Sequence, residues 1–516
     1  MSETKQKPTR AILATLISVL IIGSVTLSLL PRPNSQQVNQ ATTHRNSTPT
    51  ATAIPLEILA QISDAEQAMD EKNFQYAVVA YSKVIESLPN LIDAYVQRSA
   101  AYKALGFYQQ AEEDISIAIK LSGEKNELYR KRGDIRLLAG NYAGAVDDYT
   151  KAIELDQSDI EAYGNRSIAY IQLDEMKKAL ADLEHVILVS PDKPNAYFNR
   201  GLIYENTDEL EKAVADYSKV IELSEDNSGN AYARRGLVYA RMDKTSEALA
   251  DFDQAISQGI EDETVYNERG LIYSKLDHPE QALDDFNRAL AINIKNPVIY
   301  YNRGIVYLSQ QKYDLAIADY DRAIELDPSN AVYYNNLGIT FHYKGDFEQA
   351  INVYNQAIDL KPDYALAYQN RANAYAQNEQ SDLALSDYSK VIELEPEAAE
   401  AFYNRGVVYY QSKKYDLALT DFSTIIDQGM PNIVQALNMR AIIYSIRNKY
   451  NLAIDDLTAA IERDPEYPIS YNRRAILYRL QGKIPEAIED LKRYLELETD
   501  LELQKEAEEL LRSLGG

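Results

Sequence analysis

The sequence predicts an all-α solenoid of about thirteen helix-turn-helix units, and three observations lead there. From about Ile58 the chain repeats with a period of 34 residues. At that period alanine recurs without exception, as Ala77, Ala111, Ala145, Ala179, Ala213, Ala248, Ala282, Ala316, Ala350, Ala384, Ala418, Ala453 and Ala487. Twelve residues before each alanine stands a small residue, often glycine (Gly133, Gly201, Gly236, Gly270, Gly304, Gly338, Gly406) and otherwise Ala or Ser. Helices approach closely only where side chains are small, so the two columns mark where the helices of one unit cross. Apolar residues between the columns fall three and four apart, a helical spacing, and Gly, Asp and Asn supply the turns.

Ahead of the repeats, residues 11–30 (AILATLISVLIIGSVTLSLL) carry no charge and are long enough to cross a hydrocarbon core as a helix. Lys5, Lys7 and Arg10 precede this stretch and only Arg32 follows closely, so residues 1–10 are expected in the cytoplasm and the repeats outside it, in a periplasm or lumen. The stretch exceeds an ordinary signal-peptide core, and the first cleavage-like site, Ala51 to Ala53, lies far beyond it. An uncleaved anchor is therefore expected, with secretion after cleavage as the alternative. Residues 31–56, rich in Ser, Thr, Asn, Gln and Pro, read as a disordered tether.

Units start at Ile58, Ile92, Asn126, Ile160, Pro194, Gly229, Glu263, Pro297, Ala331, Ala365, Ala399, Val434 and Pro468. They occupy residues 58–501. Two units carry one extra residue, at Ser228 to Gly229 and near Met430 to Ile433, in turn-forming sequence where insertion is tolerated. Residues 502–516 put Leu503, Ala507, Leu510, Leu511 and Leu514 on one helical face and read as a helix capping the last unit. The clearest unit reads YYNRGIVYLSQQKYDLAIADYDRAIELDPSN from Tyr300, with Gly304, Tyr307, Ala316, Tyr320, Ala323 and Pro328 at its key positions. These units resemble tetratricopeptide repeats, and the likeness spans every copy. It implies a right-handed superhelix, and aromatic packing residues at the fourth, eleventh, seventeenth and twenty-fourth positions. Tyr fills ten of the fourth and ten of the eleventh positions, so most of the 40 tyrosines are expected to be packing residues. The repeat style is similar to that of many-repeat bacterial proteins, cyanobacterial ones in particular.

A further pair of columns is legible without the resemblance. In eleven units the seventh residue is Arg and the twenty-third Asp, as in Arg303 with Asp319, Arg371 with Asp387 and Arg405 with Asp421. In the other two units both are lost together, as Asp64 with Ala80 and Leu337 with Val353. Joint presence and joint absence predicts a salt bridge within each unit rather than a row of anion-binding arginines.

The resemblance implies that function lies on an inner surface built from first helices at their second, fifth, sixth, ninth, twelfth and thirteenth positions. In later units Val298, Tyr301, Ile305, Val332, His342, Tyr343, Leu366, Tyr403 and Tyr410 stand there, an apolar and amide lining suited to peptide. At the sixth position Asn recurs as Asn165, Asn199, Asn302, Asn336, Asn370 and Asn404. Such a ladder can grip an extended backbone by donating to carbonyls and accepting from N–H groups. It resembles the asparagine ladder in the repeats of O-linked N-acetylglucosamine transferase; the other reading is that Asn belongs to a duplicated NRG segment. The carboxylate clamp of the chaperone-binding branch is not expected. Its best counterpart, Gln369, Asn373, Asn404, Gln435 and Met439, lacks the cations.

Composition excludes other classes. With no cysteine there is no thiolate metal site, disulfide or cysteine nucleophile. A net charge of −26 opposes wrapping of nucleic acid, and the charge divides unevenly. Residues 1–57 hold five Lys or Arg against two Asp or Glu, and the remainder 48 against 77. The four histidines, His44, His185, His278 and His342, have no metal-binding spacing, and no nucleophile elbow or phosphate loop occurs. No enzyme activity, cofactor or small-molecule substrate is expected. The expected function is a membrane-anchored scaffold that binds peptide segments of other proteins during complex assembly. Alternatives are a permanent subunit of a cell-envelope complex and a module presenting substrates to a separate transferase.

Overall fold

The computed structural model describes residues 55–224 and 228–515. The expected cytoplasmic N-terminus, the anchor at 11–30 and nearly all of the tether lie outside the described residues, and among these no helix is long and apolar enough to cross a membrane. They form 27 α-helices and no strand. The chain divides between Glu261 and Asp262 into two compact bodies, the first holding units one to six and the second units seven to thirteen with the last helix.

Unit eight shows how the sequence makes one element pair. Its first helix, Pro297–Ser309, begins with proline where the N–H has no partner, and the Asn296 side chain caps it by accepting from the Val298 N–H. It ends at a turn in which Gln311 takes φ 59° and the Lys312 N–H donates to the Tyr307 carbonyl at 2.8 Å. The second helix, Tyr313–Leu326, then returns antiparallel. The left-handed residue recurs at the fifteenth position of every unit. Glycine holds it at Gly106, Gly140, Gly345 and Gly482, and side-chain-bearing residues such as Lys72, Asp174 and Asn448 hold it elsewhere at φ 55–65°.

Helix crossing follows from complementary volumes in the eighth and twenty-fourth positions. Each of Gly133, Gly201, Gly236, Gly270, Gly304, Gly338 and Gly406 receives the ring edge of Tyr or Phe sixteen residues later, so close that a Cβ would stand 2.5–2.9 Å from a ring carbon. Where the later residue is the smaller Ile115, the eighth position is Ser99, whose hydroxyl donates to the Ala111 carbonyl at 2.7 Å. The fourth-position tyrosines have a polar task as well. Tyr95, Tyr197, Tyr334 and Tyr471 donate their hydroxyls to the carbonyls of Pro89, Pro191, Pro328 and Pro465 in the preceding turn.

The seventh-position arginines are placed within their own units. Arg303 donates Nε and Nη2 to the two oxygens of Asp319 at 2.8 and 2.6 Å, Arg371 does so to Asp387 at 2.7 and 2.8 Å, and Arg405 to Asp421 at 2.9 and 2.7 Å. The same fork recurs in the eight other units that carry the pair. Each Asp is buried, and burial pushes the Asp285 and Asp421 carboxyls up against the pull of Arg269 and Arg405. A third bond lies beyond the reach of the sequence pattern. Nη1 donates backward, to an oxygen on the second helix of the preceding unit: Ser82 for Arg98, Asn287 for Arg303, Asn355 for Arg371, Ser389 for Arg405. The guanidinium also lies between two rings, with Arg303 Cζ 5.6 Å from the Tyr300 centroid and 5.8 Å from that of Tyr307. In unit nine Leu337 packs against Val353 instead, in one apolar cluster with Tyr320.

The last helix is Leu501–Ser513, capped by Asp500. Ala507 is buried and packs with Leu510, Leu511 and Leu514 against Tyr471, Ala475, Leu491 and Tyr494 of unit thirteen. Leu503, expected on the same face, lies in the first turn of the helix and is exposed.

Candidate functional site

In both bodies first helices of successive units touch, while second helices do so much less, which turns the first-helix face inward. The two bodies build that face differently. In units three to six it is charged and internally neutralised. Arg130 pairs with Asp159 and Glu161, Arg234 approaches Glu205, and Arg241 meets Asp208 at 2.9 Å. Asp134 is half-buried there, accepting from the Tyr149 hydroxyl at 2.8 Å and Asn165 Nδ2 at 2.9 Å, and desolvation pushes its carboxyl up. In units eight to twelve the same positions hold a single charge, the exposed Glu400. Apolar side chains stand half-exposed instead: Val298, Ile305, Val332, Leu366 and Ile446, with Tyr343 the most open at 66%.

The structure separates the aromatic candidates. Tyr301 is largely packed, its ring 6.0 Å from Tyr320 and 5.2 Å from Tyr333. Tyr403 leans on Phe422 and Tyr410 on Tyr415. His342 stacks edge-on against Phe347 at 5.2 Å, and burial holds its pKa below the usual imidazole range. Tyr343, edge-on to His342 at 6.1 Å, is the most exposed of these.

The asparagines face joints between units. Asn302 Nδ2 donates to Asn267 Oδ1 at 2.9 Å, Asn370 to Asn335 at 3.0 Å, and Asn404 lies 3.4 Å from Asn373. Asn336 donates to its own helix at Val332 and reaches the Tyr301 hydroxyl. Asn199 and Asn302 are buried. One column thus links successive first helices, with an N–H of each of these five amides except Asn199 engaged by the protein itself, as is that of Asn165.

Sequence reasoning passed over Arg473, at the sixth position of unit thirteen. Its Nη1 donates to Asn438 Oδ1 at 3.2 Å, and no carboxylate among the described residues pairs with it. Among the described residues no group of three or more His, Asp or Glu is placed to hold a metal ion.

Tetratricopeptide repeat family models match residues 98–160, 166–234, 263–295, 297–363, 370–433 and 438–500, together more than half of the chain. Among curated proteins nothing matches. Solved structures similar to this chain include YrrB, described as a TPR protein with an unusual peptide-binding site. It is 29% identical over 36% of this chain and 95% of its own, with a TM-score of 0.33. A tetratricopeptide repeat protein from Parabacteroides merdae is 23% identical over 48% and 98%, TM-score 0.37. Yeast Tom70 is 18% identical over 89% and 96%, TM-score 0.33.

Proposed function

Because this chain belongs to the tetratricopeptide repeat family, and because its second body leaves an uncharged, half-exposed apolar face, we propose that it is a scaffold whose units eight to twelve hold peptide segments of other proteins. The observation that carries this reading is the row of Val298, Val332, Tyr343, Leu366 and Ile446, which on an acidic protein has no need to stay open to water. Many units in series give several partners a high effective concentration, which serves complex assembly without chemistry. The peptide is held chiefly by these side chains, and the asparagines contribute through the stiffness of the face they join.

The test replaces Tyr343→Ala, Leu366→Ser and Ile446→Ser together in the full chain. Each residue is exposed, so stability should change by roughly 0.5 kcal/mol or less per site. Partners captured by cross-linking and mass spectrometry should fall away; full retention of every partner would sink the reading.

A second reading, a permanent subunit of an envelope complex, is favoured by one observation. Leu315, Leu383, Leu417 and Leu452 recur at one second-helix position and each is about half exposed, an apolar row away from the peptide face. Partners held there would survive the triple variant and resist high salt.

Residues 11–30 would anchor the scaffold, with the repeats in a periplasm or lumen. Protease added to intact spheroplasts should then digest the chain beyond Arg32, and complete protection would reverse the orientation.

A further inference from the structure

Arginines on the first-helix face come in two kinds. Arg130, Arg234 and Arg241 each have a carboxylate beside them, and the eleven seventh-position arginines have their aspartates. Arg473 differs. It is half-buried in unit thirteen, and its single hydrogen bond among the described residues runs from Nη1 to Asn438. Asn438 is itself fully buried and fixed, since its Nδ2 donates to the Ser470 hydroxyl at 2.7 Å and to the Val434 carbonyl at 2.9 Å. Its oxygen therefore has one orientation, and that oxygen holds the guanidinium in place. The Nε and Nη2 edge, the edge by which the seventh-position arginines fork onto their aspartates, meets no carboxylate among the described residues.

The groups that face Arg473 electrostatically are three tyrosines, Tyr467 in the turn before it and Tyr403 and Tyr410 two units back. Burial lowers the guanidinium pKa relative to its paired counterparts, so its charge is partly stripped of water without a counter-ion. A desolvated, pre-oriented guanidinium of this kind gains most from a planar carboxylate that accepts two N–H groups at once.

We propose that the face formed by units eleven to thirteen is an acid-reading site, in which Arg473, held by Asn438, takes the side-chain carboxylate of an Asp or Glu within a passing partner segment. The inference rests on the peptide-scaffold reading above and adds the chemistry the partner must carry. A side chain rather than a chain end is assigned because Ile469 and Ile476, on the same face one turn either side of Arg473, are half-exposed. A segment can lie across both and continue over the uncharged units, dipping one carboxylate between them.

Short peptides acetylated and amidated at their ends, randomised except for one central Glu, Gln or Lys, are passed over the immobilised full chain at low salt. The Glu pool should be retained about tenfold better than the Gln pool, as a charge-assisted pair demands. Arg473→Gln should abolish that preference while leaving retention of the Gln pool unchanged. Arg473→Lys, which keeps the charge but not the fork, should restore part of it, and circular dichroism of both variants shows whether unit thirteen stays folded. Equal retention of Glu and Gln, or a preference indifferent to both variants, overturns the proposal while leaving the scaffold reading intact. Retention that appears only when the peptides carry a free terminal carboxylate also overturns it, in favour of a chain-end site. If no pool is retained by the wild-type chain, the scaffold reading fails and this one with it.

Discussion

Replacing Arg303 with leucine alone is expected to destabilise unit eight by about 3–5 kcal/mol, because it strands a buried carboxylate. Asp319 is 5% exposed and accepts two short hydrogen bonds from that one guanidinium. Unit nine shows what the same positions look like without charge, where Leu337 and Val353 are buried together at 5% and 8%. The double variant Arg303→Leu with Asp319→Val should therefore recover most of the loss, since a well-packed apolar pair can equal a buried ion pair. Long repeat arrays do not unfold in a single step, so the measurement is amide hydrogen exchange within Pro297–Ser309 and Tyr313–Leu326, alongside urea unfolding. Losses that simply add in the double-mutant cycle would show that the two side chains do not act as a pair.

The second large effect is expected at Gly338. An added Cβ there would stand 2.5 Å from Tyr354 Cε1, and the Tyr354 ring is fully buried with nowhere to retreat. Gly338→Val is expected to cost about 2–3 kcal/mol through overpacking. Gly164, also within a first helix, makes the internal control. Nothing lies within 4 Å of its added Cβ, so Gly164→Ala should stabilise by about 0.5–1 kcal/mol through helix propensity alone. Thermal melts of the two variants should thus move in opposite directions. A shift of the same sign in both would mean that the ring edge is not what excludes a side chain at the eighth position.

What the sequence made legible and what it hid follow from the same period. A column repeated many times reports any constraint every unit shares, which is why the small crossing residues and the Arg–Asp columns could be read directly. The hydroxyls and amides that accept from arginine Nη1, such as Ser82 and Asn287, also form a column, but Ser or Asn on a solvated second helix has many ordinary reasons to be there. The asparagines illustrate a different ambiguity. A sixth-position side chain lies on the open first-helix face and beside the neighbouring first helix at once, and only the placement of Asn267, Asn335 and Asn373 opposite shows which neighbour receives its N–H. Arg473 was hidden because it departs from its column. Asn in one unit and Arg in another give no repeated signal, and the absence of a carboxylate partner is a fact of three dimensions.

The backward bond from arginine gives the stack a direction. The guanidinium N–H faces the preceding unit, and the hydroxyl or amide oxygen faces the following one. Growth from the carboxyl-terminal end therefore always meets a finished acceptor, and a chain leaving the ribosome adds its units in that order. The nascent solenoid is assembled like masonry, each course laid on a surface already prepared to receive it.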